Sequence, residues 1–336
     1  MRILVVSVVY NSTPPIGYGG IQRVVHSLVE ALVEFGHEVT LVAPPRSRCS
    51  GRTVEVAAYD PDRPWVRIRR EGDLLSEEPL YETLVELTRR EQFDVIHDWS
   101  FQNLFPVRHP DVLPAVISTC IPPPPGFSRS NLVASSKAHA ELCGEGTRYV
   151  HYGLPLDDWE YTLSKSDELV HIAKIARYKA QHLAIMAARR SGRKLALAGN
   201  VEEPLYYNAL VRPLLWMSRH VSYLGEISGT EDCLREAAAL VQTPRWFDAF
   251  PLVILEALAS ATPVIAFAEG GVPEQVIHGE TGFLCHDLSS LTEAFERLPE
   301  IDPQKCRDDA ERRFSSRRMA EDYLDLYRRA MAGDNW

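Results

Sequence analysis

Asp248 and Glu256 stand on either side of Phe250-Pro251-Leu252, in a stretch that reads as loop and then helix. Proline suits a first helical turn, where its missing N–H is not needed. Asp248 therefore falls just before a helix, and Glu256 lies inside it. Ionised carboxylates only accept hydrogen bonds, and sugar or ribose hydroxyls donate them. The pair suits a carbohydrate or nucleoside; a helix cap at Asp248 and a packing residue at Glu256 is the plainer alternative. Upstream, Lys174 and Lys179 follow an apolar run in a chain with six lysines. Either alone reads as a solvated lysine near a strand end, the pair at this spacing in so lysine-poor a chain less readily. A third candidate is Gly17-Tyr18-Gly19-Gly20-Ile21-Gln22, a glycine loop between a strand and a helix, where backbone N–H groups bind phosphate. Gln22 stands where a dinucleotide fingerprint has its third glycine, and Ala43-Pro44-Pro45 offers no acid for a ribose, which disfavours NAD.

Such residues need a scaffold that brings distant segments to one edge. Ile3–Val9 is short, apolar and β-branched, as in a strand buried on both faces of a parallel sheet. Ile21, Val24, Val25, Leu28, Leu32 and Phe35 then recur at helical spacing, closed by Gly36. Strands are expected at Val39–Ala43, Val54–Ala57, Asp94–His97, Ala115–Thr119 and Leu132–Ala134, with a helix over Glu77–Arg90. The alternation restarts with strands at Leu169–Ala176, Leu195–Ala198, Val221–Leu224, Ala239–Gln242, Val264–Phe267 and Gly282–Cys285. Helices are expected at His182–Ser191, Thr230–Ala237, Pro251–Ser260, Pro273–His278 and Ser290–Leu298. This is an α/β pattern of two doubly wound domains, joined near Gly153–Asp167. The last helix, Ser316–Met331, carries Met319, Tyr323, Leu326, Tyr327 and Ala330 on one face, which implies packing back on the first domain.

The length of 336 residues fits two domains. Composition is that of an ordinary globular protein, and no apolar stretch is long enough to span a bilayer. The net charge of −10 argues against nucleic acid as a partner, since phosphate neutralisation needs a basic face. Six scattered cysteines without a CxxC pair suggest reduced thiols and a cytoplasmic protein. Asp60-Pro61-Asp62 spells a metal motif but sits among prolines and reads as a turn, so no metal is expected. Arg63, Arg67, Arg69 and Arg70 with Trp65 form a local basic cluster, open to a peripheral membrane contact but more simply a solvated loop.

Gly19-Gly20, Asp248 with Glu256, Ala259-Ser260-Ala261-Thr262-Pro263-Val264-Ile265-Ala266 and Gly270-Gly271-Val272-Pro273-Glu274 together resemble the retaining glycosyltransferases of family 4. Tyr223-Leu224-Gly225-Glu226 and Thr281-Gly282-Phe283-Leu284 also fit. The resemblance implies the GT-B fold: two facing Rossmann-like domains with an interdomain cleft, 1–160 taking the acceptor, 168–314 the nucleotide-sugar donor, and 315–336 crossing back. It implies metal-independent transfer from a nucleotide diphosphate sugar to an acceptor hydroxyl of a small molecule, glycan or natural product, with no cofactor beyond that donor. Carried over, Asp248 meets the donor sugar and Glu256 the ribose. Lys174 and Lys179, with Gly19 and Gly20, serve the diphosphate. Gly225 and Glu226 lie beside the base, and the backbone of Phe250, Pro251 and Leu252 helps fix the sugar. His97, at a strand end, is expected to orient the acceptor, with a purely structural histidine as the alternative.

Four departures qualify the resemblance. Asp248 is one methylene shorter than the family's glutamate. Ala173-Lys174 replaces a Gly-Arg pair and Lys179-Ala180 a Lys-Gly pair. Ile121 stands where members often have a histidine near the donor's 6-hydroxyl, which implies either a donor lacking that group, a pentose or 6-deoxy sugar, or a pocket otherwise apolar at that spot. A non-catalytic nucleotide-sugar binder and a same-fold phosphorylase or epimerase remain alternatives.

Overall fold

Ile3, Leu4, Val5 and Val6 are wholly buried, as an unbroken apolar run requires of a central parallel strand. They belong to β1 (Arg2–Val6) in a computed structural model that describes residues 1–17, 19–61, 74–124, 127–227 and 229–336. Tyr18, Asp62, the basic cluster at 63–70 and Pro125-Gly126 lie outside the described residues. The chain divides into unit 1, Met1–Leu154 with Ser316–Trp336, and unit 2, Pro155–Ser315.

Unit 1 continues with β2 (Glu38–Ala43), β3 (Arg52–Glu55), β4 (Val95–Asp98), β5 (Ala115–Ser118), β6 (Leu132–Ala134) and β7 (Arg148–Tyr149). Its helices are α1 (Gly20–Glu34), α2 (Glu78–Arg90), α3 (Leu104–Arg108) and α4 (Lys137–Cys143). Unit 2 has β8 (Glu168–Ile172), β9 (Lys194–Ala198), β10 (Val221–Tyr223), β11 (Ala239–Gln242), β12 (Val264–Phe267) and β13 (Gly282–Cys285). Its helices are α5 (Gln181–Ser191), α6 (Pro204–Tyr206), α7 (Arg212–Trp216), α8 (Glu231–Glu236), α9 (Leu252–Ala259), α10 (Val272–Gln275), α11 (Leu288–Arg297) and α12 (Pro303–Arg313). A π-helical stretch, Tyr207–Val211, joins α6 to α7.

Among the described residues each unit holds one parallel sheet, in the orders β3-β2-β1-β4-β5-β6-β7 and β10-β9-β8-β11-β12-β13. Both orders run outward in two directions from their first strand. Such a reversal leaves a crevice at the carboxyl ends of the two central strands, where ligands bind in folds of this kind. In unit 2 those strands are β8 and β11. Lys174 and Lys179 follow the first, and Asp248 follows the second.

Three sequence expectations need correction. The first strand ends at Val6, with Val8 and Val9 buried in the following loop. β8 ends at Ile172, not Ala176, because the chain there crosses the end of β9 closely: a Cβ on Gly199 would lie 2.1 Å from the Ala173 carbonyl oxygen. Helix α9 begins at Leu252, so Pro251 caps it from outside. Helix α12 was not foreseen, because its buried face mixes Arg307 and Asp309 with Cys306 and Ala310. There Arg307 donates to the carbonyls of Leu156 at 2.9 Å and Ala259 at 2.8 Å. That guanidinium ties residues 155–160 to unit 2, as does Lys165 Nζ, which donates to the carbonyls of Arg235 and Ser260 at 2.7 and 2.8 Å.

Helix α13 (Ser316–Met331) lies in unit 1, burying Met319, Tyr323, Leu326, Tyr327 and Ala330. Its two tyrosines reach polar groups on the sheet. Tyr327 Oη is 2.7 Å from His97 Nδ1, and Tyr323 Oη is 2.8 Å from Ser118 Oγ, which is itself 2.8 Å from His97 Nε2. A buried ring nitrogen that loses its partner costs about 1–3 kcal/mol. Tyr327→Phe is therefore expected to lower unfolding free energy by about that amount in chemical denaturation, while Leu326→Met at the edge of the same face costs under about 1.5 kcal/mol.

Candidate active site

The segment after β8 leaves the sheet at Ala173, turns through a 3₁₀ step over Arg177–Lys179 and enters α5. Ala180 makes the turn in the left-handed region, at φ 50° and ψ 42°, although its methyl group is fully buried. This is where the family pattern has glycine, so the glycine's conformation persists without the glycine. The turn is fastened from β11, where Thr243 Oγ1 donates toward the carbonyls of Lys179 and Ala180 at 3.0 and 3.1 Å. Gln181 Nε2 holds the Lys174 carbonyl at 2.8 Å.

Both lysines are largely withdrawn from water and both carry a carboxylate. Lys179 Nζ meets Asp248 Oδ2 at 2.5 Å, the side chains being 18% and 15% exposed. Lys174 Nζ lies 3.3 Å from Glu202 Oε2, at 10% and 18% exposure. Glu202 also accepts from Tyr178 Oη at 3.1 Å. The Tyr178 and Trp246 rings flank Lys179, each centroid 5.9 Å from Nζ. Asp248 is fixed by the strand beside it: a Cβ on Gly270, at φ +59°, would come within 2.2 Å of the Asp248 carbonyl oxygen, and Gly271 N donates to that oxygen at 2.9 Å. Hence the paired glycines after β12 let one loop pass tightly over the other.

Glu256 is buried on α9 and accepts from Thr230 Oγ1 at 2.8 Å. The Phe250 ring packs edge-on against Phe314, centroids 6.0 Å apart, so only its backbone faces the loop. Pro251 and Leu252 open α9. Gly225 and Glu226 follow β10, the glycine accepting from Gly199 N at 2.7 Å and the glutamate exposed. Unit 2 thus gathers Lys174, Lys179 and Asp248 at the switch point of its sheet, with Gly225 and Glu226 at the same edge.

In unit 1, Gly19 caps α1 and Gly20 is its first residue, following β1. Ile121 follows β5, and its carbonyl accepts from Thr119 Oγ1 at 2.9 Å. His97 takes the structural place that was the alternative to orienting the acceptor. It is fully buried, both ring nitrogens are engaged by Tyr327 and Ser118, and burial pushes its pKa down to about 3. Its neighbour Asp98 is also buried, with Oδ1 accepting from Ser100 N at 2.8 Å. Glu77, which periodicity marks only as a helix start, accepts from Phe101 N and Gln102 N at 2.9 and 2.8 Å. Burial, and then the charge of Asp98, raise its pKa to about 7. Sequence reasoning also missed Glu202, Tyr178 and Trp246; a carboxylate after the second strand of a nucleotide-binding sheet was the available signal.

Two family matches cover most of the chain. Residues 157–313 match the group 1 glycosyl transferases, and residues 18–119 match glycosyltransferase family 4. This chain belongs to the family 4 type of glycosyltransferase. Its fold is GT-B. AviGT4, a glycosyltransferase involved in avilamycin A biosynthesis, is similar over 100% of this chain and 99% of its own, at 25% identity and a TM-score of 0.80. Anabaena HepE, solved with UDP and glucose, shares the fold at 17% identity and a TM-score of 0.70, over 97% and 98% of the two chains. The D-inositol 3-phosphate glycosyltransferase of Corynebacterium aurimucosum is 37% identical over 111 residues, 32% of this chain. The chain spans about a quarter of the length of that relative, 26%.

Two outcomes follow for this family member. Ala180→Gly loses a buried methyl but relieves a left-handed alanine, so it is expected to change stability by under about 1 kcal/mol. Ala184→Gly, equally buried but mid-helix in α5, is expected to cost about 1–2 kcal/mol in the same denaturation assay. Glu77 holds its proton in the folded protein up to about pH 7, against 4.5 ordinarily. Its contribution is therefore complete below about pH 4.5 and lost as pH rises toward 7. The stability of wild type relative to Glu77→Gln is expected to decline across that window; a flat difference would contradict the assignment.

Proposed function

We propose that this protein transfers a sugar from a nucleoside diphosphate sugar to an acceptor hydroxyl, with anomeric retention and without a metal. The observation that carries the reading is the pair of lysines, 10% and 18% exposed, at the carboxyl end of β8 opposite Asp248. Departure of a nucleoside diphosphate concentrates negative charge, and preformed ammonium groups in a partly dry site stabilise it without reorganising solvent. On this reading Lys174 and Lys179 neutralise the leaving diphosphate, and Asp248 with the backbone at 249–252 accepts from the sugar hydroxyls. Glu256, steadied by Thr230, takes the ribose, and Gly225-Glu226 borders the base. Unit 1 serves the acceptor through the loops after β1 and β5.

The likeness to AviGT4, a glycosyltransferase involved in avilamycin A biosynthesis, supports a natural-product acceptor. Ile121 in place of histidine supports a donor without a 6-hydroxyl; equal rates with hexose and 6-deoxyhexose donors would count against that refinement. We further propose a cytoplasmic site of action. The scattered cysteines support it, and among the described residues no helix is long and apolar enough to cross a membrane.

A second reading, a nucleotide-sugar binder that does not turn over, is favoured by one observation: Asp248 is engaged by Lys179. Donor hydrolysis and transfer separate the two. Lys179→Ala is expected to lower kcat/KM by about 100-fold, the scale of losing one preorganised group at a developing charge. Glu256→Ala is expected to act chiefly through KM. Wild type that binds donor yet turns over none with any acceptor would establish the binder.

A further inference from the structure

Nothing in the family pattern assigns a role to Glu202, yet it reaches one of the two lysines on which the proposed reaction depends. We propose that Glu202 and Asp248 hold Lys174 and Lys179 in the ligand-free protein, and that an arriving diphosphate displaces both carboxylates. Glu202 is then a positioning residue, and Asp248 is handed over to the sugar by the same exchange. This rests on the nucleotide-sugar reading above.

Three observations support the exchange. The two ion pairs are alike in placement, one before the turn over Arg177–Lys179 and one at its last residue, and all four side chains are 18% exposed or less. Two ammoniums and two carboxylates sum to no net charge, so the lysines can be drawn out of water without ligand. Unpaired charges there would cost far more. Lastly, Glu202 is anchored independently by Tyr178 Oη, 3.1 Å from Oε1, and so keeps a partner after Lys174 has moved. A diphosphate has more oxygens and more charge than a single carboxylate, so it competes well for both ammoniums. Asp248, released, has its acceptor oxygens available to the hydroxyls of the sugar that arrives with the diphosphate.

The consequence is a gain of function. Removing either carboxylate charge takes one competitor away from a lysine, so anion binding tightens while sugar transfer suffers. Inorganic pyrophosphate, which has no base or sugar, is the cleanest probe, with uridine diphosphate as a second. By calorimetry at low salt, Glu202→Gln and Asp248→Asn are each expected to bind pyrophosphate about threefold or more tighter than wild type. Glu203→Gln, whose carboxylate accepts from Arg177 N at 3.2 Å, is the control for general loss of negative charge and is expected within about twofold of wild type. A merely structural role for Glu202 would weaken binding or leave it unchanged, and either result overturns the proposal. Equal tightening in all three variants overturns it too. If Lys174→Ala and Lys179→Ala bind both probes as wild type does, the nucleotide-sugar reading fails as well; if they weaken binding and Glu202→Gln does not tighten it, the exchange alone fails.

Discussion

Two ammonium groups drawn most of the way out of water at the end of β8 are the constraint around which unit 2 is built. A partly buried cation needs a counter-charge, a fixed stem and a chain path that delivers it. Asp248 and Glu202 supply the first. The second comes from Thr243 and Gln181, which bind the backbone of the turn. The third is the sheet order itself, which places the loops after β8 and β11 side by side at the point where the winding reverses. Even the glycines serve it, since Gly199 admits the Ala173 carbonyl and Gly270 admits that of Asp248 at distances no side chain would allow.

Unit 1 spends its polar groups differently. His97, Ser118, Tyr323 and Tyr327 form a closed set of hydrogen bonds that fastens α13 to the centre of the sheet. A strand-end histidine in a nucleotide-sugar fold invites a functional reading, but each nitrogen already has a partner. Next to it the two buried carboxylates, Glu77 and Asp98, order the loop 98–103 through backbone N–H groups. The buried polar groups beside the unit 1 sheet are thus neutral or raised in pKa, whereas those at the end of β8 in unit 2 are paired charges.

Much of this was legible in the residues. Short apolar runs marked the central strands of both sheets, because strands buried on both faces carry no other pattern. The helices α1, α5, α9, α11 and α13 declared themselves by apolar spacing. What escaped did so for physical reasons. Helix α12 buries Arg307 and Asp309, so apolar periodicity cannot see it. The left-handed turn at Ala180 is invisible in an alanine, and only the family's Lys-Gly pattern pointed to it. Glu202 follows the second strand of the unit 2 sheet, a position that sequence could have flagged, but which lysine it meets appears only once β9 is seen to end beside Ala173. The true role of His97 depended on Tyr327, 230 positions away in sequence.

The central claim is that these ammonium groups exist to take a second phosphate. The most direct measurement compares the affinities of uridine monophosphate and uridine diphosphate for the wild-type chain by calorimetry at low and high salt. The account predicts that the diphosphate binds about tenfold or more tightly and that salt erodes the difference. Equal affinities for the two nucleotides, insensitive to salt, would contradict it.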